Sequence, residues 1–168
     1  DITKSLEHKT LLTTLVEDKV IDSSAFITKW AGHFSRNNAT YLLEKDYCEK
    51  NNLDVTFNKC KNDKTSHVAT LEEINEKDCA DFIFVIYEPT DSTGHNYGFT
   101  FNNPRYKDAF KTADNYGYET LNAIKSRDTY ETEDWLIIVT SDHGGIGTDH
   151  GGASIQERMT FIVTNKEF

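Results

Sequence analysis

Two apolar runs that each end in a polar segment are the feature that most limits how this chain can fold. The first is DFIFVIY at 81–87, which leads into EPTDSTGH, and the second is WLIIVT at 135–140, which leads into SDHGG. Both runs suit strands that are buried on both faces. A helical pattern over 104–126, with Asn103 as the cap and Pro104 in the first turn, lies between them. Strands that alternate with helices in this way predict an α/β fold with a largely parallel central sheet flanked by helices.

The rest of the chain continues the same alternation. Thr70, with Glu73 three residues later, has the form of a capping box and predicts the start of a short helix. The further predicted elements are helices over 5–18, 38–51 and 70–77, and strands over 20–27, 53–57 and 159–163. The length of 168 residues predicts a single domain over 1–168.

The polar segments after the two apolar runs contain a set of side chains that suits a metal ion. Open α/β sheets bind ligands beyond the carboxyl ends of their strands. Asp91 and His95 would share one face of a helix, and Asp142, His143 and His150 lie among glycines. Carboxylate oxygen and imidazole nitrogen are ligands for zinc, and manganese also accepts them. The remaining histidines are interpreted as surface or helix residues: His8, His33 and His67.

Each motif alone is also consistent with a structural reading. An aspartate after a strand is often only the cap of the next helix, and GTDHGG could be a glycine-rich turn. Because both motifs occur together, each at the end of an apolar run, we interpret them as a metal site.

The charge, the cysteines and the hydropathy of the sequence limit which binding partners and which cellular compartment fit this protein. A formal charge of −10 argues against general binding of nucleic acids or anionic membranes. No apolar run reaches the about 20 residues of a membrane-spanning helix. Cys48 and Cys60 could form a disulfide with each other and leave Cys79 as a thiol. Alternatively, all three cysteines could be thiols. The Asn38-Ala39-Thr40 segment fits the glycosylation pattern, which chance explains as well.

The two motifs together resemble those of the alkaline phosphatase superfamily, and most closely its nucleotide pyrophosphatase/type I phosphodiesterase branch. The resemblance rests on EPTDSTGHNYGF and VTSDHGG, in the order motif, helix, strand, motif. KTLLTTLVEDKVIDSSAFITKWAGHF also resembles the unit that follows the nucleophile in that family. The resemblance covers most of the chain and implies an alkaline phosphatase-like core that is incomplete at its N-terminus.

The resemblance also implies which residues would hold metal ions. Asp91, His95 and His150 would bind one divalent ion. Asp142 and His143 would bind a second, and both ions would be zinc or manganese.

Three departures from the family pattern accompany this assignment. Thr90 is inserted between the proline and the aspartate of the first motif. The histidine that corresponds to His150 usually lies much further downstream in the nucleotide pyrophosphatases. The nucleophile, a threonine or serine, and the first metal-binding aspartate are expected upstream of Asp1.

The function that these features predict is a metal-dependent phosphoric ester hydrolase acting on a small phosphorylated substrate. Phosphodiesterase, nucleotide pyrophosphatase and phosphatase activities all fit, and residues 1–168 alone are expected to be inactive. A metal-dependent phosphomutase of the same superfamily and a non-catalytic metal-binding fragment are the alternatives. The resemblance, the sequon and the cysteines favour an extracytoplasmic or secreted location.

Overall fold

The chain divides into two compact units, residues 1–87 and residues 88–168, which we call the first and the second unit. A computed structural model describes residue 6, residues 8–34 and residues 40–167, with the backbone alone at Thr40. Asn38 of the predicted sequon and Ser5, where the first helix is predicted to begin, lie outside the described residues. The expectation of a single domain over 1–168 stays a prediction.

The first unit is a three-stranded parallel sheet with helices packed on it. Strand order is β2-β1-β3, and both pairings are parallel. The elements are α1 Leu11–Glu17, β1 Ser24–Thr28, α2 Thr40–Asn51, β2 Val55–Lys59, α3 Asp63–Asn75 and β3 Phe82–Ile86. This arrangement confirms the predicted α/β class with a parallel sheet flanked by helices.

Phe26 lies at the centre of the first unit. All five residues of β1 are buried, as expected for the middle strand of a parallel sheet. The Phe26 ring stacks on Tyr41 with centroids 4.5 Å apart and on Phe84 at 5.5 Å, and it meets Phe57 edge-on at 6.4 Å. Aromatic side chains from the sheet and from α2 therefore form the core of this unit.

Two element starts in the first unit differ from the predictions. β1 begins at Ser24 rather than at residue 20, because the backbone amides of Asp22 and Ser23 bind the Asp81 carboxylate at 2.8 and 3.2 Å. α3 begins after Asn62, whose side chain accepts from the Thr65 amide in a capping box.

The prediction that Thr70 caps this helix is therefore wrong. Thr70 lies buried inside α3, and its hydroxyl donates to the Ser66 carbonyl oxygen at 2.8 Å. A threonine hydroxyl can make such a bond within a helix, so its presence does not mark a helix start. Glu73 accepts instead from the Ala80 amide at 2.9 Å.

β3 is less buried than its apolar sequence predicts. Phe84 is 40 % exposed, and the other residues of the strand are partly buried. The reason is topological, because β3 is at one end of the strand order and, among the described residues, pairs only with β1.

The histidines outside the two motifs have different environments. His8 is exposed, as predicted, whereas His33 is half-buried and lies edge-on to Phe26 with centroids 5.4 Å apart. His67 lies in α3, which agrees with its interpretation as a surface or helix residue, and it is buried there. Its Nδ1 lies 3.1 Å from the hydroxyl of Tyr87, a hydrogen bond that makes burial of the imidazole tolerable.

The described residues show the state of the three cysteines and whether any helix there could cross a membrane. Cys48, Cys60 and Cys79 all lie in this part of the chain and form no disulfide there, and burial raises the pKa of Cys48. Within the same residues, no helix combines the length and the apolar character that crossing a membrane requires.

The second unit contains a long helix and a small antiparallel sheet. Its elements are α4 Pro89–Tyr97, α5 Pro104–Lys125, β4 Ile138–Thr140, α6 Ile155–Arg158 and β5 Ile162–Thr164. The prediction of α5 is confirmed, because the Asn103 side chain accepts from the Arg105 amide at 3.0 Å and Pro104 opens the helix.

The predicted buried strand at 135–140 is wrong in its start, its pairing and its burial. β4 starts only at Ile138, and it pairs antiparallel with β5 in a two-stranded sheet. Ile138 is 52 % and Val139 48 % exposed. The apolar sequence of this strand predicts burial, but a two-stranded sheet leaves more of its side chains uncovered than the middle of a larger sheet does.

An ion pair closes the turn between α5 and β4. Glu133 accepts two hydrogen bonds from Arg127 Nε and Nη2 at 2.9 and 2.7 Å, and one from Trp135 Nε1 at 2.7 Å. The Arg127 side chain is only 4 % exposed. The hydrogen bonds from Arg127, followed by those from Thr129 and Trp135, lower the pKa of Glu133 from 4.5 to about 2.

Replacing Glu133 with glutamine is expected to lower the free energy of unfolding by about 1–2 kcal/mol at pH 7, because charge-assisted hydrogen bonds are lost. The pKa of Glu133 is lower in the folded chain, so its contribution is complete above about pH 4.5 and declines as the pH falls towards 2. Urea unfolding from pH 2 to 7 should therefore show the two proteins converging in acid. A difference that is constant over this range would contradict the assignment.

Candidate metal centre

α4 presents the first two candidate ligands on one face. Glu88 precedes the helix and Pro89 opens it, so the polar segment after β3 becomes helical at once. Asp91 and His95 are four residues apart, and Asp91 Oδ1 lies 3.4 Å from His95 Nε2. The helix ends at Gly98, whose φ of 97° is readily adopted only by glycine.

The second motif folds back on itself through its glycines. Gly147 and Gly151 have φ values of 59° and 96°. Ile146 and Asp149, which flank Gly147 and Thr148, exchange backbone hydrogen bonds at 3.0 and 3.1 Å, which closes a tight turn. This turn brings His150 back over His143, and the two imidazoles stack with centroids 3.7 Å apart.

The side chains of the two motifs meet in one cluster. His95 Nε2 lies 3.0 Å from His150 Nε2, and Asp91 Oδ1 lies 3.3 Å from the same His150 atom. Asp91, His143 and His150 each offer one ligand atom, and these three atoms lie within 4.8 Å of one another. Four of the five predicted ligands are therefore close together: Asp91, His95, His143 and His150.

Asp142 lies at the rim of this cluster. Its side chain is 89 % exposed, and its Oδ2 is 3.6 Å from His143 Nε2. Its Oδ1 accepts from the backbone amide of His143 at 3.1 Å. The two predicted ligand sets are not separate in space, because His143 of the second set stands with Asp91 and His150 of the first.

Backbone carbonyls set the orientation of two of the imidazoles. His95 Nδ1 lies 3.0 Å from the Thr148 carbonyl oxygen, and His143 Nδ1 lies 2.8 Å from that of Gly144. A carbonyl only accepts, so we assign the proton of each neutral ring to Nδ1. Nε2 of both rings then carries a lone pair, as in most metal-bound histidines whose other nitrogen is held by a carbonyl.

The cluster fits a divalent cation because one of its carboxylate oxygens has no hydrogen-bond donor in the described part of the chain. Within the described residues Asp91 Oδ1 is buried and receives no hydrogen bond, despite the two imidazole nitrogens near it. A buried carboxylate oxygen without a donor is costly. One positive ion among these atoms would satisfy the carboxylate and both imidazoles, and nitrogen and oxygen ligands suit zinc and manganese.

Glu157 is a supporting residue that our sequence analysis did not identify. Its carboxylate accepts from the Gly152 amide at 2.8 Å and from the Ser154 amide at 3.2 Å, so it closes the loop after His150. Hydrogen bonds from the Ser154 side chain and the Gly152 amide lower the pKa of Glu157. The signal was present in the sequence, since Ser154 and Glu157 have the spacing of a capping box.

Comparison with known proteins assigns the family. The family model described as "Type I phosphodiesterase / nucleotide pyrophosphatase" matches residues 8–160, and this match supports hydrolysis of phosphoric esters as the general activity. No curated protein and no solved structure matches the chain significantly. The matched range covers nearly the whole chain, including both motifs. The chain therefore belongs to the type I phosphodiesterase/nucleotide pyrophosphatase family, within the alkaline phosphatase superfamily.

Proposed function

We propose that this chain carries the metal-binding part of a two-metal phosphodiesterase, nucleotide pyrophosphatase or phosphatase. The observation that carries the proposal is the convergence of Asp91, His95, His143 and His150 around a buried carboxylate oxygen that has no donor among the described residues. Such a cluster contains more potential ligand atoms than its own hydrogen bonds use. Family membership supports a phosphoric ester as the substrate.

Asp91, His95 and His150 are the proposed ligands of one ion, since their contacts of 3.0 to 3.4 Å are mutual. Asp142 and His143 are the proposed ligands of the second. This second set is supported by the short distance of 3.6 Å between the Asp142 carboxylate and the His143 imidazole. The Asp142 carboxylate is also exposed. Zinc is the preferred ion and manganese the alternative, because three imidazoles favour metals that accept nitrogen.

Two divalent ions in such a centre supply charge stabilisation for the attacking and the leaving oxygen of an in-line displacement. Residues of this chain orient the histidine ligands for that chemistry. The Thr148 and Gly144 carbonyls hold the Nδ1 protons of His95 and His143, which keeps the Nε2 atoms available as neutral ligands. Stacking of His143 on His150 restricts rotation of both rings.

The nucleophile belongs to the same proposal. The resemblance that assigns the five ligands also puts a threonine or serine nucleophile upstream of Asp1, together with a further metal-binding aspartate. The substrate is a small phosphorylated molecule, because the charge of −10 repels extended phosphate backbones. An extracytoplasmic or secreted location remains part of the proposal and is supported by the resemblance and by the Asn38 sequon.

Metal titration followed by an activity assay tests the proposal. Residues 1–168, freed of metal by a chelator, should bind zinc in calorimetry, and zinc at 100 times Kd should raise the free energy of unfolding by about 2.7 kcal/mol. The same chain should release no p-nitrophenol from a p-nitrophenyl phosphodiester above background. Adding the upstream coding sequence should restore hydrolysis, and a chelator should abolish it again.

Each result is informative. Absence of zinc or manganese binding would contradict the metal centre. Robust metal-dependent turnover by residues 1–168 would contradict the upstream nucleophile. Movement of phosphate within a substrate without its release would favour the phosphomutase alternative.

A further inference from the structure

Phe99 connects the two motifs through its backbone. It follows Gly98, which ends α4 with a φ of 97°. The Phe99 amide donates to the Gly147 carbonyl oxygen at 2.8 Å, so the residue after α4 is hydrogen-bonded to the turn that leads to His150. Two segments about 50 residues apart in sequence are thereby joined directly beside the ligand cluster.

The Phe99 ring fills a slot between two glycines. A Cβ added at Gly94 would lie 2.3 Å from Phe99 Cε1, and one added at Gly145 would lie 2.4 Å from Phe99 Cγ. Contacts this short do not occur between carbon atoms in proteins, so the ring and a side chain cannot occupy the same space. Cγ is fixed close to the backbone, and rotation of the ring cannot relieve the contact at Gly145.

The same ring contacts two of the candidate ligands. His95 lies edge-on to Phe99 with centroids 5.5 Å apart and an interplanar angle of 81°. His150 lies edge-on as well, at 6.0 Å and 87°. Edge-to-face contacts at these distances are favourable and directional. One apolar ring therefore limits the orientations of two imidazoles that come from different motifs.

We propose that Phe99 is the positioning residue of the metal centre: its ring, held between Gly94 and Gly145, keeps the imidazoles of His95 and His150 in fixed orientations relative to each other. The ring carries no ligand atom, so it acts on the ion only through the two histidines. This inference rests on the proposed metal-binding function. It also explains why both motifs contain glycine at these positions, beyond any need for flexibility.

The first test compares zinc affinity in three forms of the full chain. Phe99→Ala should raise the zinc Kd about 10–100-fold, the range found when residues that orient metal ligands are removed. Phe101→Ala is the matched control. Phe101 is 57 % exposed and packs on Tyr106 and Phe110 rather than on the histidines, so its Kd should change less than about twofold.

A double-mutant cycle separates positioning from general packing. Gly145→Ala alone should raise the Kd about 10–100-fold, because the new methyl group displaces the Phe99 ring. In the Phe99→Ala background the same change should add little, since there is no ring left to displace. The effect of Gly145→Ala on the zinc Kd should be additive with that of Phe101→Ala. Full additivity with Phe99→Ala would overturn the proposal.

A metal-free measurement keeps this inference distinct from the proposed function. In the chelated wild type, proton NMR should show contacts from the Phe99 ring to both His95 and His150, and Phe99→Ala should shift both imidazole signals. If Phe99→Ala does not fold, Phe99→Leu should give a smaller change of the same kind. If the wild type binds no zinc, the metal proposal fails and the NMR result alone decides the role of Phe99. Missing contacts, or a Phe99→Ala Kd within about twofold of wild type, would overturn it.

Discussion

Asp91→Asn is expected to weaken zinc binding more than about 100-fold, beyond the 10–100-fold loss that follows removal of an orienting residue. Asp91 Oδ1 is the carboxylate atom around which His95 and His150 converge at 3.4 and 3.3 Å. An asparagine keeps the shape of the side chain but removes its negative charge. Isothermal calorimetry on the chelated protein measures the loss directly.

The same change should not weaken the metal-free fold. Asp91 Oδ1 is buried and receives no hydrogen bond from the described residues, so the substitution breaks no hydrogen bond at this atom. The free energy of unfolding without metal should stay within about 1 kcal/mol of wild type or rise. Loss of metal affinity with retained stability is the signature of a ligand.

Asp108→Asn provides the matched control, because it makes the same change of charge on α5. The Asp108 side chain is 73 % exposed, pairs with Lys111 at 3.5 Å and is not one of the candidate ligands, so the zinc affinity of this variant should change less than about twofold. Equal losses in the two variants would show that net charge, not coordination, governs binding. Unchanged affinity in Asp91→Asn would remove Asp91 from the metal centre.

Phe26→Ala is expected to have the largest effect on stability, a loss of about 3–5 kcal/mol in the free energy of unfolding. Phe26 is fully buried on β1, and its ring contacts aromatic side chains on both neighbouring strands and on α2. Truncation leaves a cavity that the sheet backbone cannot close. Chemical unfolding followed by circular dichroism gives the difference.

Phe101→Ala is again the control, since this phenylalanine is 57 % exposed and its removal should cost less than about 1 kcal/mol. A loss below about 1 kcal/mol in Phe26→Ala would mean that β1 is not the centre of the core. A similar loss in both variants would point to a general effect of removing aromatic side chains.

Local patterns predicted the elements that depend on a few neighbouring residues. Pro104 and the cap at Asn103 mark the start of α5, and four-residue spacing brings Asp91 and His95 to one face of α4. The predicted start of α3 is wrong, because Thr70 and Glu73 have the spacing of a capping box but the capping bonds are made by Asn62. Hydrophobic runs predict that strands occur but not where they start or how deeply they are buried, as β4 demonstrates.

The candidate site was predictable as a list of residues but not as an arrangement. The glycines around His143 and His150 indicated that the chain could turn back. Stacking of these two rings, and the placement of His143 beside Asp91 rather than in a separate set, depend on the Ile146–Asp149 turn and on the fit of Phe99. Neither feature has a signal within a short window of sequence.

The sequence by itself determined the order of strands and helices, the residue types available to a metal ion and the family of the chain, because periodicity, caps and motifs are local. Only the tertiary structure decided that β1 is the central strand, that the Asp91 carboxylate oxygen is enclosed, and that Phe99 fits between Gly94 and Gly145. These features arise from contacts between residues far apart in the chain. Their geometry follows from how the elements pack and not from any one element's own pattern.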